Sequence, residues 1–317
     1  MISVRFEQGR VLVDEVPAPA GEGVLVRVRA CGICGSDLEM LDRGFPIAGI
    51  PGHEIAGEIE DGTPVAIEPI AACGGCRPCR EGRYQVCGSG PAMIFGIGRD
   101  GGMAEAIRVP ARCLVSLPRG VDARTGFLVE PLAVAVHGLR RARLDGASRV
   151  LVVGGGAIGL AAVAASTSAG AETALVARHA AQIAAGTRLG AEIREAGSVS
   201  GEDYDVVIDC AGTESALATA CEALRPNGTL LMLASSWDRI VLPAIALAVK
   251  ELEIVVATMY GRTAAMRDVD AAAAILGARE EVPEALVTDR FPLADAPKAF
   301  ERARDRRAGA IKVVLEP

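Results

Sequence analysis

The chain has 317 residues, half of them hydrophobic and 23% charged, which supplies about two domains with sizeable cores and excludes intrinsic disorder. A net charge of −7 without any long basic run removes the footprint of a nucleic-acid binder and makes an anionic membrane surface an equally poor partner. Aromatic residues are only 3%, so the cores must be built from Ala, Val, Leu and Ile.

The opening residues Met1-Ile2-Ser3-Val4-Arg5-Phe6-Glu7 lack the basic-then-apolar pattern of a signal peptide, so a cytoplasmic location is expected. The first segment with chemical content is Cys31-Gly-Ile-Cys34-Gly-Ser36-Asp37, followed by Pro51-Gly-His53-Glu54 and, much later, Val129-Glu130-Pro131-Leu132. Cys, His and a carboxylate are the ligand types of a catalytic zinc, where three protein ligands leave one position for water or substrate. Singly, each has a plainer explanation. Cys31 or Cys34 can be a buried small hydrophobe, His53 a hydrogen-bonded loop residue, and Glu130 a neighbour of the helix that Pro131 opens. Spacing alone leaves these readings open.

Four of the nine cysteines lie in Cys73-Gly-Gly-Cys76-Arg-Pro-Cys79, closed by Cys87: a C-x2-C-x2-C-x7-C pattern in a Gly/Pro-rich loop. In a chain expected to be cytoplasmic this is no disulfide framework. Closely spaced thiolates separated by small residues can wrap tetrahedrally around one zinc and leave no open position. A redox pair uses only two of the four, and an iron–sulfur cluster fits the count but finds no other sign of electron transfer. Cys73, Cys76, Cys79 and Cys87 therefore read as a structural zinc site. Cys113, Cys210 and Cys221 have no ligand spacing and are expected to be buried. Phe95, after this loop, is either a pocket wall or core. His137, in an apolar helical stretch, is expected to be packed and hydrogen-bonded.

Residues 150–171 carry no charged side chain and imitate a membrane span in length. Their glycines point instead to a buried strand, a tight turn and a buried helix. The strand Arg149–Val153 runs into Gly154-x-Gly156-x-x-Gly159, a helical segment extends to about Ala169, and a second strand follows at 173–177. This is the context a dinucleotide fingerprint requires. The glycines permit the turn and the approach of backbone to pyrophosphate, and the helix start at Ala157 and Ile158 favours phosphate charge. Further strands at 205–209, 229–233 and 252–257 alternate with helices, as in a doubly wound parallel sheet. The second strand ends Val176-Ala177-Arg178-His179, without the acid that hydrogen-bonds an NAD ribose. Arg178 can pair with a 2′-phosphate beside His179, so NADP is expected; the plainer reading is a surface arginine.

In order along nearly the whole chain, CGICGSD at 31–37, PGHE at 51–54, the four-cysteine loop at 73–87, DGGMAEA at 100–106, VEPLAVAVHG at 129–138 and VVGGGAIG at 152–159 resemble the zinc-containing medium-chain alcohol dehydrogenases, on their polyol, threonine and sugar dehydrogenase branch. The resemblance implies an α/β protein. A β-rich, GroES-like catalytic domain would occupy 1–130 and be completed by 259–317, with a Rossmann NADP-binding domain at 131–258. It implies two zinc ions per chain. Cys34 and His53 would ligate the catalytic one, with Glu54 and Glu130 sharing the remaining coordination with water, and Ser36 would relay the alcohol proton. Glu39 stands where many relatives carry a histidine that extends this relay; it leans toward a polyhydroxylated substrate unless it is merely solvated. The segments after Gly57 and between Cys34 and His53 are shorter than is usual in the family.

The activity implied is hydride transfer between NADP(H) and the secondary alcohol or ketone of a polyol, sugar, cyclitol or amino alcohol. The alternatives are an NADPH-dependent carbonyl reductase of a biosynthetic pathway and a non-catalytic NADPH-sensing module. Apart from a small alcohol or carbonyl substrate, the expected partner is a second copy in a homodimer or homotetramer, with the apolar segment 252–260 pairing edge to edge across a two-fold axis.

Overall fold

Val24–Gly32 alternates buried Val26, Val28 and Ala30 with exposed Leu25, Arg27 and Arg29, the period-two pattern of a strand with one face on a core. In the computed structural model, which describes residues 1–201, 203–235 and 237–317, this strand is central to the first of two units. That unit comprises Met1–Glu130, Gly261–Pro283 and Val287–Pro317. Its main sheet runs in the order Val287–Pro292, Lys312–Glu316, Val24–Gly32, Glu54–Glu58, Pro64–Ile67, Leu114–Ser116, and Ala106–Val109 also pairs with Val24–Gly32. All pairings are antiparallel except that between Val287–Pro292 and Lys312–Glu316.

The shortened segment after Gly57 is a tight hairpin: Glu58 pairs with Pro64, and Ile59 N donates to Thr63 O at 3.1 Å. A separate hairpin, Ile2–Glu7 with Arg10–Glu15, turns through Gln8 (φ 49°) and Gly9 (φ 74°), the left-handed pair that suits the twist of the strands. The core gathers Val4, Val26, Ile55, Met103, Phe300 and Leu315, and Phe6 meets Phe300 edge-on at 5.3 Å. Phe95 belongs to this core, 3% exposed.

The second unit comprises Pro131–Tyr260 and Glu284–Leu286. Its sheet is parallel throughout, in the order Glu192–Arg194, Glu172–Val176, Arg149–Val153, Tyr204–Asp209, Leu224–Met232, Glu253–Val256. Counted along the chain this is 3-2-1-4-5-6, the doubly wound dinucleotide-binding order. Val150, Leu151 and Val152 are wholly buried because helices cover both faces of such a sheet. The strand expected at 229–233 begins earlier, at Leu224: Leu224 already pairs with Tyr204, and the chain kinks through Asn227 (φ 59°) before the ladder resumes at Thr229.

The membrane-like stretch resolves into the strand Arg149–Val153 and the buried helix Ala157–Ser168. No helix among the described residues is long and apolar enough to cross a membrane. His137 is 2% exposed, its Nδ1 accepting from Arg140 Nη2 at 2.9 Å. Cys113 and Cys221 are buried and Cys210 half-buried.

Candidate active site

Beyond Gly32 the central strand continues through Ile33 to Cys34, which stands at the N-cap of the helix Gly35–Asp42. Asp37, in the first turn of that helix and fully buried, reaches back so that Oδ2 accepts the Cys34 backbone N–H at 2.9 Å. His53 is delivered from the other side by Gly52. The φ of +95° at Gly52 suits glycine, and a Cβ there would sit 2.6 Å from Met103 and 2.7 Å from Cys31 Sγ. Glu54 begins the neighbouring strand. The ligand atoms of Cys34, His53 and Glu54 consequently lie within 4.8 Å of one another.

Two residues that spacing did not single out complete this cluster. Asp37 Oδ1 faces His53 Nδ1 at 3.4 Å, which leaves Nε2, on the side of Ser36 Oγ at 3.5 Å, for a metal. Burial works against a charged imidazole, but Asp37 and then Cys34 outweigh it and raise the His53 pKa well above its ordinary value. Lys312, 2% exposed, donates to Glu54 Oε1 at 2.5 Å and to Ile33 O at 3.2 Å. Glu54 Oε2 is buried without a hydrogen-bond partner. A thiol, an imidazole backed by a carboxylate and an orphaned carboxylate oxygen form a donor set that fits zinc.

Glu130 is 7% exposed in the first turn of the helix Val129–Arg141, close enough for its charge to act on Lys312, but outside the group of mutually close ligand atoms. Glu39 is exposed on its helix and accepts from Arg43 Nε at 3.0 Å.

The four cysteines of the loop converge. Separations are 3.4 Å for Cys76–Cys79, 3.5 Å for Cys73–Cys87, 3.8 Å for Cys76–Cys87 and 3.9 Å for Cys73–Cys79. A regular tetrahedron with Zn–S of about 2.3 Å requires sulfur atoms about 3.8 Å apart, so this group fits a closed zinc site. Backbone amides, those at Cys73 and Ser89 foremost, pull the Cys87 thiol down to about 6. The loop is tied to its unit by Tyr84, whose hydroxyl donates to buried Glu68, and Glu68 Oε2 accepts from Arg267 at 3.0 Å.

In the second unit, Gly154 (φ +112°) makes the turn, and a Cβ on Gly159 would lie 1.7 Å from Gly154 O. Gly156 faces open space, and Ala157 and Ile158 begin the helix whose first N–H groups have no intrahelical acceptor. Ala177 is half-buried, its Cβ 2.7 Å from where one on Gly155 would stand. Arg178 is exposed and His179 caps the helix Ala180–Arg188; neither side chain has a hydrogen bond or ion pair among the described residues. Asp209, which no spacing marked, ends the fourth strand fully buried and accepts from Ala211 N at 3.1 Å and Gly212 N at 3.0 Å. It shapes the turn that packs against Gly154, whose Cβ would lie 3.1 Å from Ala211 N.

The alcohol dehydrogenase GroES-like domain matches residues 20–119, and the glucose dehydrogenase C-terminus matches residues 123–316. L-arabinitol 4-dehydrogenase of Hypocrea jecorina is 31% identical over 334 residues, covering 92% of this chain and 85% of the relative. L-galactonate-5-dehydrogenase of Escherichia coli is 28% identical over 329 residues, covering 95% and 94%. A Sinorhizobium meliloti structure, assigned as a zinc-binding dehydrogenase and solved with NADP, superposes with a TM-score of 0.86 at 27% identity, over 100% of this chain and 99% of that one. With two domain families matched in succession and polyol and sugar dehydrogenases as its relatives, the chain belongs to the zinc-type, medium-chain alcohol dehydrogenase family of oxidoreductases.

Proposed function

We propose that the protein is a zinc-dependent, NADP(H)-preferring dehydrogenase acting on a secondary hydroxyl of a polyol, sugar, cyclitol or amino alcohol. The convergence of Cys34, His53 and Glu54, with Asp37 behind the imidazole, carries this reading. Cys34 and His53, with Glu54 or Glu130 and water, would hold a zinc ion, which would supply Lewis acidity that lowers the pKa of a hydroxyl group. Ser36 Oγ, 3.5 Å from His53 Nε2, accepts the hydroxyl proton and passes it outward. The backbone at Gly154, Gly156 and Gly159 and the helix start at Ala157 and Ile158 hold the pyrophosphate. Arg178, without a side-chain partner among the described residues, meets the 2′-phosphate, with Ala177 and His179 beside it. Oxidation of a secondary alcohol to a ketone releases one proton, which Ser36 would take up, and one hydride, for which NADP⁺ held at this turn would be the acceptor. Carbonyl reduction uses the same groups in reverse. Ser36 beside the cluster favours an enzyme over a sensing module, which needs no proton acceptor there.

Self-association follows from the edge of the parallel sheet. Glu253–Val256 exposes Ile254 and Val256, and the preceding helix Ala244–Lys250 exposes Ile245 and Val249. A second copy paired edge to edge about a two-fold axis covers these groups in a homodimer, and two such dimers make a homotetramer.

The test follows absorbance of the reduced nicotinamide with zinc-replete protein, running NADP⁺ and NAD⁺ in parallel against polyols, aldoses, cyclitols, amino alcohols and simple alcohols. Turnover with NADP⁺ on a polyhydroxylated class is expected. Equal turnover with NAD⁺ overturns the cofactor assignment, and silence together with one zinc per chain overturns the enzyme.

A further inference from the structure

Lys312 has a place that ordinary packing does not explain. Its strand enters the sheet beside Val24–Gly32, with Val314 opposite Gly32 and Ile33 N donating to Val313 O at 2.9 Å. That register carries the Lys312 ammonium to the wall of the ligand cluster, where it grips Glu54 Oε1 and the carbonyl of Ile33, the residue before Cys34. A buried ammonium is costly unless paired, and this one is spent wholly on the surroundings of the ligands. Glu54 is confined on its other side too. A Cβ at position 32 would lie 2.0 Å from Glu54 Oε2 and 2.9 Å from the Phe127 ring, so only glycine leaves the carboxylate this seat.

Charge points the same way. Cys34, Glu54 and Glu130 are three acidic groups around one candidate metal position, and all of them act electrostatically on Lys312. Lys312 brings a positive charge there and places it on Glu54.

Resting on the zinc reading above, we propose that Lys312 is a positioning residue: its ammonium competes with the catalytic metal for the Glu54 carboxylate and so keeps a coordination position open for substrate. Without it Glu54 moves onto the metal.

The test uses the cobalt-substituted full-length protein, comparing Lys312→Met, Lys312→Arg, Glu54→Gln and the Lys312→Met/Glu54→Gln double variant. Two readouts are taken: the visible cobalt bands, which weaken on passing from four to five ligands, and the rate at which a chelator removes the catalytic metal. Lys312→Met is expected to weaken the bands and slow metal release by about tenfold, and Lys312→Arg to restore both. In the double variant no carboxylate is left to move, so adding Lys312→Met to Glu54→Gln changes neither readout. The double variant also buries no unpaired charge, so that comparison survives if Lys312→Met alone does not fold. Wild-type bands and release rate in Lys312→Met, or an equal effect of Lys312→Met in the Glu54→Gln background, overturn the proposal. Should the wild-type chain take up only one metal, in the four-cysteine loop, the underlying zinc reading fails, and this proposal falls with it.

Discussion

Asp37 holds both ends of the candidate catalytic cluster: Oδ2 accepts the backbone N–H of Cys34 at 2.9 Å while Oδ1 faces His53 Nδ1 at 3.4 Å. One buried carboxylate thus orients a thiol and an imidazole that the chain supplies from different elements. Asp37→Asn keeps the shape but removes the charge behind His53. Retention of the catalytic metal against a chelator should weaken by about 10- to 100-fold, with the four-cysteine metal unaffected. Unchanged retention would show that the 3.4 Å contact orients nothing.

Cys34→Ser removes a ligand without disturbing the loop at 73–87. Metal analysis should fall from two zinc per chain to one, and turnover should disappear. Full activity in this variant would sink the catalytic-zinc reading.

Arg178→Ala separates the two nicotinamide cofactors. A charged hydrogen bond to phosphate is worth about 1.5–3 kcal/mol, so NADPH affinity should drop by about tenfold or more. NADH affinity should stay where it was. Fluorescence titration with both cofactors reads the difference, and parallel losses would place the 2′-phosphate elsewhere.

Gly159→Ala forces a methyl to within 1.7 Å of the Gly154 carbonyl oxygen, and both partners of the clash are backbone or rigidly attached to it. Overpacking of this kind costs about 1–3 kcal/mol. The urea midpoint should fall, and added NADPH should raise it by less than in the wild type. A variant stabilised by NADPH as strongly as the wild type would remove the turn from the cofactor site.

Tyr84→Phe tests how the four-cysteine loop is fastened. Glu68 is 4% exposed, and burial pushes its pKa up even with Tyr84 and Arg267 as partners. Removing the phenol leaves a buried acceptor short of a donor, at a cost of about 1–3 kcal/mol in urea denaturation. The zinc count should not change, since Tyr84 ties the loop to Glu68 and is no ligand. A drop to one zinc per chain would show that the loop cannot keep its metal without this anchor.

Much of the protein was legible as local pattern. The alternation at Val26, Val28 and Ala30, the buried run Arg149–Val153 and the glycines at 154, 156 and 159 each depend on near neighbours along the chain, and so does the spacing of Cys73, Cys76, Cys79 and Cys87. Asp37 lay within reach as well: an acid three residues after an N-cap is a helix-start signal, although spacing alone says nothing of His53. The start of the strand at Leu224 was hidden by Pro226-Asn227-Gly228, a local turn signature that survives as a kink between the pairings of Leu224 and Thr229.

Lys312 is of another kind. A lysine at the head of an apolar strand reads as a solvated end, and Glu54 lies 258 residues away. The sequence by itself determined which residues can bind zinc and where a dinucleotide phosphate can rest, because those properties are written in spacings of a few residues. Only the tertiary structure decided that Asp37 backs His53 and that an ammonium grips Glu54. Strand register and burial bring distant charges together, and in a buried site such charges are strongly felt.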